Sequence, residues 1–267
     1  MKTEATSLDA TRHRLLEGVL LRLARLPDAG GLVLRGGMLL RHWFRPMSRP
    51  ALDLDLVAAS PLTAEDAARH YLPLFADAAV ADGVAFDATR LHVEGIWQHT
   101  DNPGVRVHAC GTVCEEEADF QVDITGGPAP QPAPVFGEFP TACGRSARVW
   151  MCLPESIVGQ KIQALWHLGM LGWRPKDLND LRLLLQRLPM DPASLREAIA
   201  ASFADMGGTG DDARALFGAS SWWGMKLSSA RWSDYVKSSR GRDAPRSLAV
   251  VVAGVAGRLA PILEGLR

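Results

Sequence analysis

The feature that most constrains the fold is a change of sequence pattern near residue 150. Before it, segments that alternate apolar and polar residues, as strands do, are interspersed with a few helical patterns. Beyond Leu153, apolar residues recur at helical spacing, and most of the segments begin with a capping residue or a proline. This order predicts an α+β fold in two domains, a mixed-sheet domain over residues 1–150 and an all-helical domain over residues 151–267.

The same patterns predict the individual elements. In the first domain, helices are predicted at 12–26, 38–44 and 63–80, and strands at 32–34, 52–57, 84–87, 91–98, 105–113 and 118–125. The segment 126–134, rich in Gly, Pro and Ala, is predicted to be a loop. In the second domain, helices are predicted at 154–168, 177–188, 192–206, 211–218, 228–238 and 246–266.

The composition is that of an ordinary globular protein, with 47% hydrophobic and 22% charged residues. No apolar run is long enough to cross a bilayer, and segment 1–10 lacks the apolar core of a secretion signal. The sequence therefore indicates a cytoplasmic protein without a membrane partner. The net charge of −1 gives no strong overall field, so any binding of nucleic acid must depend on a local patch.

One local patch lies late in the chain, where cations are interleaved with aromatic residues. The cations are Lys226, Arg231, Lys237, Arg240, Arg242 and Arg246, and the aromatic residues are Trp222, Trp223, Trp232 and Tyr235. Stacking on nucleic-acid bases could use such a surface. We favour the alternative, a helix with a solvated basic face and an aromatic face in the core.

The cysteines give no metal pattern. Cys110, Cys114, Cys143 and Cys152 contain no C-x-x-C pair, and the nearby histidines lie on strand-like segments. We expect buried or half-exposed thiols rather than a zinc site or a disulfide framework.

The residues that point to chemistry are acidic and lie on predicted strands. Leu52 to Val57 alternates so that Asp53 and Asp55 lie on one face and the leucines on the other. Asp123 stands between Val122 and Ile124 on a later strand. Carboxylate oxygens are the ligands that Mg²⁺ prefers, so the three aspartates are candidate metal ligands.

A glycine pair precedes these carboxylates. The strand at 32–34 continues into Arg35, Gly36 and Gly37, and a helix is predicted to follow. Glycines permit a tight turn and leave backbone N–H groups at a helix start, where phosphate oxygens bind. Arg35 and Arg41 are further candidate phosphate contacts. A D-x-D pair alone is weak evidence, because exposed strand faces often carry acids, but the ordered set favours metal-dependent transfer of a nucleotidyl group.

At this point the sequence resembles a family. The segments "LVLRGGMLLRHWF", "LDLDLV" and "FQVDITGG" are similar to the polymerase-β-type nucleotidyltransferase core. The segments "PESIVGQKIQAL" and "RPKDLNDL" resemble the region that distinguishes AbiEii-type toxins within that superfamily. The resemblance implies a bilobed protein, in which a polymerase-β-like nucleotidyltransferase domain precedes a helical domain and the active site lies in the groove between them.

The resemblance also implies roles for residues of the second domain. Lys161 matches a lysine that contacts nucleotide phosphates, and the R-x-K-D-x-x-D element matches Arg174, Lys176, Asp177 and Asp180, which complete the site. Lys161 lies in an otherwise apolar helix, where an unpaired ammonium needs an anion unless it reaches solvent. Of the two aspartates, Asp177 is the stronger catalytic candidate, since capping or the helix dipole explains at least one of them.

The activity implied is that of a toxin that uses Mg²⁺ and an NTP, with CTP as first choice. Its acceptor would be RNA, with the 3′ end of tRNA as first choice, so that translation is blocked and a cognate antitoxin restrains the enzyme. In this scheme Asp53 and Asp55 hold the metals, Asp123 completes the site, and Gly36, Gly37 and Lys161 hold the triphosphate. Met38 stands where the family usually has Ser or Thr, which leaves nucleotide preference open.

Other functions remain open at this stage. The fold also hosts enzymes that nucleotidylate small molecules or proteins, and the near-neutral charge fits those acceptors equally well. A catalytically silent nucleotide-binding module would keep the carboxylates for structure. A glycosyltransferase using D-x-D is the weaker alternative, because it does not explain the glycine turn, Lys161 or Asp177.

Overall fold

A computed structural model describes residues 2–45, 48–77, 80–100, 102–238 and 243–266, and the side chains from Ser7 onward. The chain forms two compact units. The first unit comprises Met1–Arg45, Pro50–Ala129 and Pro134–Met151, and the second comprises Pro46–Arg49, Pro130–Ala133 and Cys152–Arg267.

The first unit is built on one mixed sheet. Its strands are β1 (Leu32–Arg35), β2 (Asp53–Ala58), β3 (Val84–Phe86), β4 (His92–Ile96), β5 (Gly104–Val113), β6 (Glu116–Gly126), β7 (Val135–Pro140) and β8 (Ser146–Met151). The described strands follow the order β3-β5-β6-β2-β1-β8-β7, and β4 also pairs with β5. The pairs β1–β8 and β2–β6 are parallel, whereas the other pairs are antiparallel.

Helices cover one face of this sheet. They are α1 (Lys2–Leu23), α2 (Gly37–Phe44) and α3 (Ala64–Phe75). Alternation places Gly111 of β5 on this face, where its missing side chain leaves room for Leu15 of α1. The rings of Phe75, Phe86 and Phe120 pack together here, with centroids 5.1 to 6.2 Å apart. This apolar layer is the core of the unit.

Two strands were not predicted from the sequence. β7 and β8 occupy residues that were given no element, and β8 extends the sheet beside β1. Gly137 and Pro140 interrupt the apolar pattern of β7, which lies at the sheet edge, where proline is tolerated. β8 is short but does alternate, since Ala147, Val149 and Met151 are buried.

Two helix boundaries also differ. α1 begins at Lys2, well before the predicted start at Arg12, because the polar segment before Arg12 has no apolar stripe by which to recognise it. α3 begins after the predicted cap, Thr63, whose hydroxyl accepts from the backbone N–H of Asp66, so that cap is confirmed. It ends at Phe75, after Pro73, and not at Val80 as predicted. Residues 78 and 79 lie outside the described residues.

The second unit is helical in its described part. Its helices are α4 (Pro154–Gly172), α5 (Pro175–Arg187), α6 (Pro192–Ala204), α7 (Gly210–Leu216), α8 (Lys226–Lys237) and α9 (Leu248–Leu263). α4 packs against α5, α6 and α7, and α5 packs against α8 and α9. The predicted helices are confirmed within a few residues at their ends. None of the described helices is both long and apolar enough to cross a membrane.

The close approach of α4 and α6 gives a test of this packing. An added Cβ at Gly159 would lie 2.5 Å from the carbonyl oxygen of Ala198, so the two backbones must separate in a Gly159→Ala variant. We expect a loss of about 1–3 kcal/mol in the free energy of unfolding, measured by urea denaturation. Gly254→Ala is the matched control, since Gly254 is an exposed position of α9 with open space around it. This change should instead stabilise the protein by about 0.4–1 kcal/mol. Equal effects of the two substitutions would contradict the close packing.

Candidate active site

The face of the sheet opposite helices α1 to α3 carries a row of charged side chains. β2 pairs with β6, β6 with β5, β5 with β4 and β2 with β1, and the partner residues at one level are all charged. Residues that face each other across paired strands project to the same side of a sheet. This charged row consists of Glu94, Arg106, Asp123, Asp55 and Arg35.

A second polar row runs beside it on the same face. Its members are His92, His108, Gln121 and Asp53, one from each of β4, β5, β6 and β2. The intervening residues of the strands, such as Leu54 and Val122, point to the helix-covered face and are buried. The predicted common face of Asp53 and Asp55 is therefore confirmed, and Asp123 lies on it too.

Gly36, which directly precedes α2, lies against the carboxylate of Asp55. Its φ of 74° is unfavourable for other residues, and an added Cβ would overlap the carboxylate of Asp55. α2 starts at Gly37, so the first backbone N–H groups of a helix follow this turn directly. Met38 is fully buried and packs in the core. The predicted turn and helix start at the glycine pair are therefore confirmed, and the close approach of Gly36 to Asp55 is a feature that the sequence did not predict.

Asp123 is bound by an arginine that the sequence analysis missed. Nε and Nη2 of Arg106 donate to the two carboxylate oxygens of Asp123, each at 2.7 Å. Only 4% of Asp123 is exposed. The hydrogen bond that Arg106 donates to Asp123 and the charges of Asp123, Glu94 and Asp53 raise the pKa of Arg106, against the effect of burial. The alternation V-R-V-H around Arg106 was the available signal, and it was interpreted only as a strand.

This ion pair bears on the predicted metal site. The described residues contain no group of three or more His, Cys, Asp or Glu side chains placed to hold a metal ion. Asp53 and Asp55 alone nevertheless fit Mg²⁺, which commonly binds through one or two carboxylates and completes its shell with waters and substrate phosphates. The joint metal site of Asp53, Asp55 and Asp123 stays a prediction.

The two candidate arginines of the glycine segment lie in different surroundings. Nη2 of Arg35 donates to the hydroxyl of Thr125 at 3.1 Å, on the polar face of the sheet. Arg41 interacts electrostatically with Arg45 and with Glu17 and Asp9 of α1, and burial lowers its pKa. Arg35 is thus near the carboxylates, whereas the contacts of Arg41 are with the helix layer.

In the second unit, Lys161 lies in a cluster of compensating charges. Its ammonium donates to Asp177 at 3.0 Å and to Asp180 at 2.8 Å. Arg174 donates to Asp177 at 2.6 Å, and Arg49 donates to Asp180. The anion that the buried Lys161 requires is therefore supplied within the unit. The phosphate contact of Lys161 stays a prediction, and we call these five residues the lysine cluster.

The charges in the lysine cluster fix the protonation of its members. Burial favours the neutral form of Asp177, but the charges of Lys161 and Arg174 outweigh it and lower the pKa to about 2. Burial also disfavours the charged form of Lys161, yet the two aspartates raise its pKa. Both aspartates bind cations, and no side chain caps the start of α5, so the capping role is wrong, whereas Asp177 does lie in the first turn of α5, where the helix dipole favours an acid.

The late patch divides much as the favoured alternative predicted, with Lys226, Lys237 and Arg246 exposed and two of its tryptophans in the core. Trp232 is 1% exposed and Trp223 is also buried. Trp173 packs against Trp222 and Trp223, and Arg231 donates to the carbonyl oxygens of Trp173 and Leu171. Residues 240 and 242, two of the predicted cations (Arg240 and Arg242), lie outside the described residues. Trp223 and Trp232 therefore belong to the core, whereas Trp222 and Tyr235 are half-buried.

Comparisons with known proteins agree with this geometry. A family model described as nucleotidyl transferase AbiEii toxin, type IV toxin–antitoxin system, matches residues 18–244. A crystal structure of a candidate nucleotidyltransferase from Helicobacter pylori is 14% identical, covers 94% of this chain and 93% of that chain, and has a TM-score of 0.54. The structure of JHP933 from Helicobacter pylori is also 14% identical, covers 94% and 90%, and has a TM-score of 0.53. No curated protein sequence matches the chain significantly.

These matches confirm a mixed α/β nucleotidyltransferase fold, as the sequence predicted. At 14% identity the two solved structures show a shared fold alone. The bilobed arrangement and the domain boundary near residue 150 stay predictions.

The pKa of Asp177 gives a pH-dependent test of the lysine cluster. Because this pKa falls from 3.8 to about 2 on folding, the stabilisation is complete above pH 3.8 and is lost as pH falls through 2. We expect Asp177→Asn to reduce the free energy of unfolding at pH 7 by about 2 kcal/mol, and the difference from wild type to shrink between pH 4 and pH 2.5. Urea denaturation at a series of pH values measures this. Asp234→Asn, at an exposed carboxylate of α8, should follow the wild-type profile. A difference between Asp177→Asn and wild type that does not change with pH would count against the charge compensation.

Proposed function

Since the chain belongs to the AbiEii family of nucleotidyltransferase toxins from type IV toxin–antitoxin systems, we propose that it transfers a nucleotidyl group from an NTP to RNA. The observation that carries this proposal is the polar sheet face, where Asp53, Asp55 and Asp123 lie beside the Gly36 turn. Within the proposal the 3′ end of tRNA is the first acceptor, CTP is the first nucleotide, and a cognate antitoxin restrains the enzyme. The reaction then takes place in the cytoplasm, where these substrates are.

The chemistry requires a hydroxyl oxygen of the acceptor to attack the α-phosphorus of the NTP. The bond from this phosphorus to the bridging oxygen breaks, and pyrophosphate leaves. When bound, Mg²⁺ neutralises the triphosphate and stabilises the charge that develops on the leaving oxygen. Asp53 and Asp55 would hold this ion, because their carboxylates share one face and both are partly exposed.

The backbone after β1 is suited to the triphosphate. The first N–H groups of α2 have no acceptor within the helix, and the helix dipole favours an anion there. Because Gly36 has no side chain, phosphate oxygens can approach this backbone beside Asp55. Arg35 lies on the same face and is the register partner of Asp55, so it is the cation of the glycine segment that lies nearest to these carboxylates.

The proton of the attacking hydroxyl needs a destination. Asp123 is one candidate acceptor, but Arg106 engages both of its oxygens. This engagement favours solvent as the acceptor, and Asp123 becomes available only if Arg106 moves.

The family resemblance implies that the lysine cluster contacts a nucleotide phosphate, and its exposed member is the candidate for this contact. The ammonium of Lys161 is 10% exposed and bonded to two carboxylates, whereas the side chain of Arg174 is 49% exposed. Arg174 keeps terminal N–H groups for a phosphate while its Nε binds Asp177. In this scheme Lys161 and Asp177 orient Arg174.

Label transfer tests the reaction directly. Purified protein is incubated with Mg²⁺, total tRNA and each labelled NTP in turn, and label in RNA is measured after gel separation. Wild type should label RNA, and Asp55→Ala should lose at least about a hundredfold of the rate, as expected when a metal ligand is removed. Glu65→Ala removes a carboxylate that is 82% exposed on α3, and it should keep the wild-type rate.

The outcomes separate the candidate functions. Label in RNA that depends on Asp55 supports the proposal and names the nucleotide. Metal-dependent NTP binding without labelled RNA would indicate a small-molecule or protein acceptor. If NTP binding were also absent, the chain would be a silent module and the proposed reaction would be wrong.

The Gly36 turn gives a second test, with nucleotide binding as the readout. Gly36→Ala forces the carboxylate of Asp55 to move, so we expect at least about a tenfold loss in affinity for Mg²⁺ and CTP by calorimetry, the size of a disturbed metal ligand. Gly31→Ala is the control, since Gly31 has a φ of 66° but no atom near the added Cβ. It should cost about 1–2 kcal/mol of stability and leave binding unchanged. A similar loss of binding in both variants would trace the effect to backbone strain.

A further inference from the structure

We propose that Arg106 is a resident counter-cation of the carboxylate site, bound to Asp123 in place of a divalent ion and displaced when that ion binds. This inference rests on the proposed function, because it concerns the same metal-dependent site. It makes Arg106 a positioning residue, whose effect on the reaction is exerted through Asp123.

Like charges are crowded at the carboxylate site. Asp55 and Asp123 are register partners on the neighbouring strands β2 and β6, with their side chains on the same face. Like charges directly opposite each other in a sheet are destabilising. Asp123 is nearly fully buried, so water screens its charge little, and a neighbouring cation compensates the charge there.

The contact between Arg106 and Asp123 has a specific geometry. The guanidinium meets the carboxylate with two parallel bonds of 2.7 Å, the fork arrangement that is strongest between these groups. Both oxygens that could bind a metal ion are therefore engaged.

The side chain of Arg106 is partly exposed and can change position. The side chain of Arg106 is 28% exposed, whereas that of Asp123 is 6% exposed, so the arginine forms the outer side of the pair. Glu94 is its register partner on β4, and the charge of Glu94 acts on Arg106. Arg106 can therefore move toward solvent or toward an incoming phosphate when a divalent ion takes its place at Asp123.

Competition for Asp123 makes a specific prediction. Two cations that need the same oxygens weaken each other's binding, so removal of the arginine must strengthen binding of the metal ion. A purely structural ion pair would behave in the opposite way, since loss of Arg106 would disorder the strands that carry Asp55 and Asp123 and weaken metal binding.

The test is calorimetric titration of the full chain with Mn²⁺ in the absence of nucleotide. Arg106→Gln should bind Mn²⁺ about tenfold more tightly than wild type, within the usual range for coupled ligands. Arg106→Lys keeps the charge but not the fork, and it should bind about threefold more tightly. Arg90→Gln is the matched control, because Arg90 forms an exposed pair with Glu117 and Asp119 on the same sheet. It should titrate like wild type.

A second measurement, of thermal stability, keeps the test valid if Arg106→Gln is partly unfolded. Melting curves in EDTA and in Mn²⁺ should show a larger metal-induced rise in Tm for Arg106→Gln than for wild type. The double variant with Asp123→Asn should lose both gains. If Mn²⁺ affinity and the rise in Tm are unchanged or reduced in Arg106→Gln and Arg106→Lys, or if the gain persists in the double variant, the inference is wrong.

This outcome is distinguishable from failure of the proposed function. If the Arg106 variants bind Mn²⁺ more tightly but wild type labels no RNA, the counter-cation is supported and only the RNA-directed reaction is lost. If wild type labels RNA while the Arg106 variants bind Mn²⁺ no better, the reaction stands and Arg106 is a structural partner.

Discussion

The polar face of the sheet is organised by the repulsion between two carboxylates. Asp55 and Asp123 are partners on paired strands, and Asp53 lies two residues along β2 on the same face. Such crowding is unfavourable unless cations or a metal ion compensate it. The surrounding residues match this need, since the Arg106 fork binds Asp123 and the missing side chain of Gly36 leaves space for Asp55. The site therefore tolerates a high density of negative charge, because a cation compensates it and the missing side chain of Gly36 leaves space.

The apolar core and the candidate active site lie on opposite faces of one sheet. The period of two directs leucine, valine and phenylalanine side chains of β2, β5 and β6 to the helix layer, while the charged residues between them face away. The polar face can thus keep a charge arrangement that no core would tolerate, because the apolar face stabilises the strands. In the lysine cluster of the second unit, by contrast, buried charges are compensated by short ion pairs within helices α4 and α5 and at the start of α5.

Local patterns in the sequence predicted what depends on local geometry. The common face of Asp53 and Asp55, the turn at Gly36 and the Thr63 cap each depend on residues close in sequence. The partners of Asp123 and Lys161 depend on strand register and helix packing, which a single sequence does not specify. Arg106 was missed for this reason, since it becomes a partner of Asp123 only once β5 and β6 pair in register. The need of Lys161 for an anion was predicted, but not that Asp177 and Asp180 supply it. β7 and β8 were missed because their apolar patterns are short and, in β7, interrupted.

The charge on the polar face also constrains the order of binding in the proposed reaction. Asp53, Asp55, Asp123 and Glu94 stand against the guanidinium groups of Arg35 and Arg106 on this face. Carboxylates outnumber cations, so a free triphosphate approaching the Gly36 turn meets a net negative surface. A divalent ion bound at the carboxylates offsets this excess of two negative charges, and in the proposed displacement the guanidinium of Arg106 is released from Asp123. Each ligand then favours the other, and by linkage the nucleotide must raise metal affinity by the same factor as the metal raises nucleotide affinity.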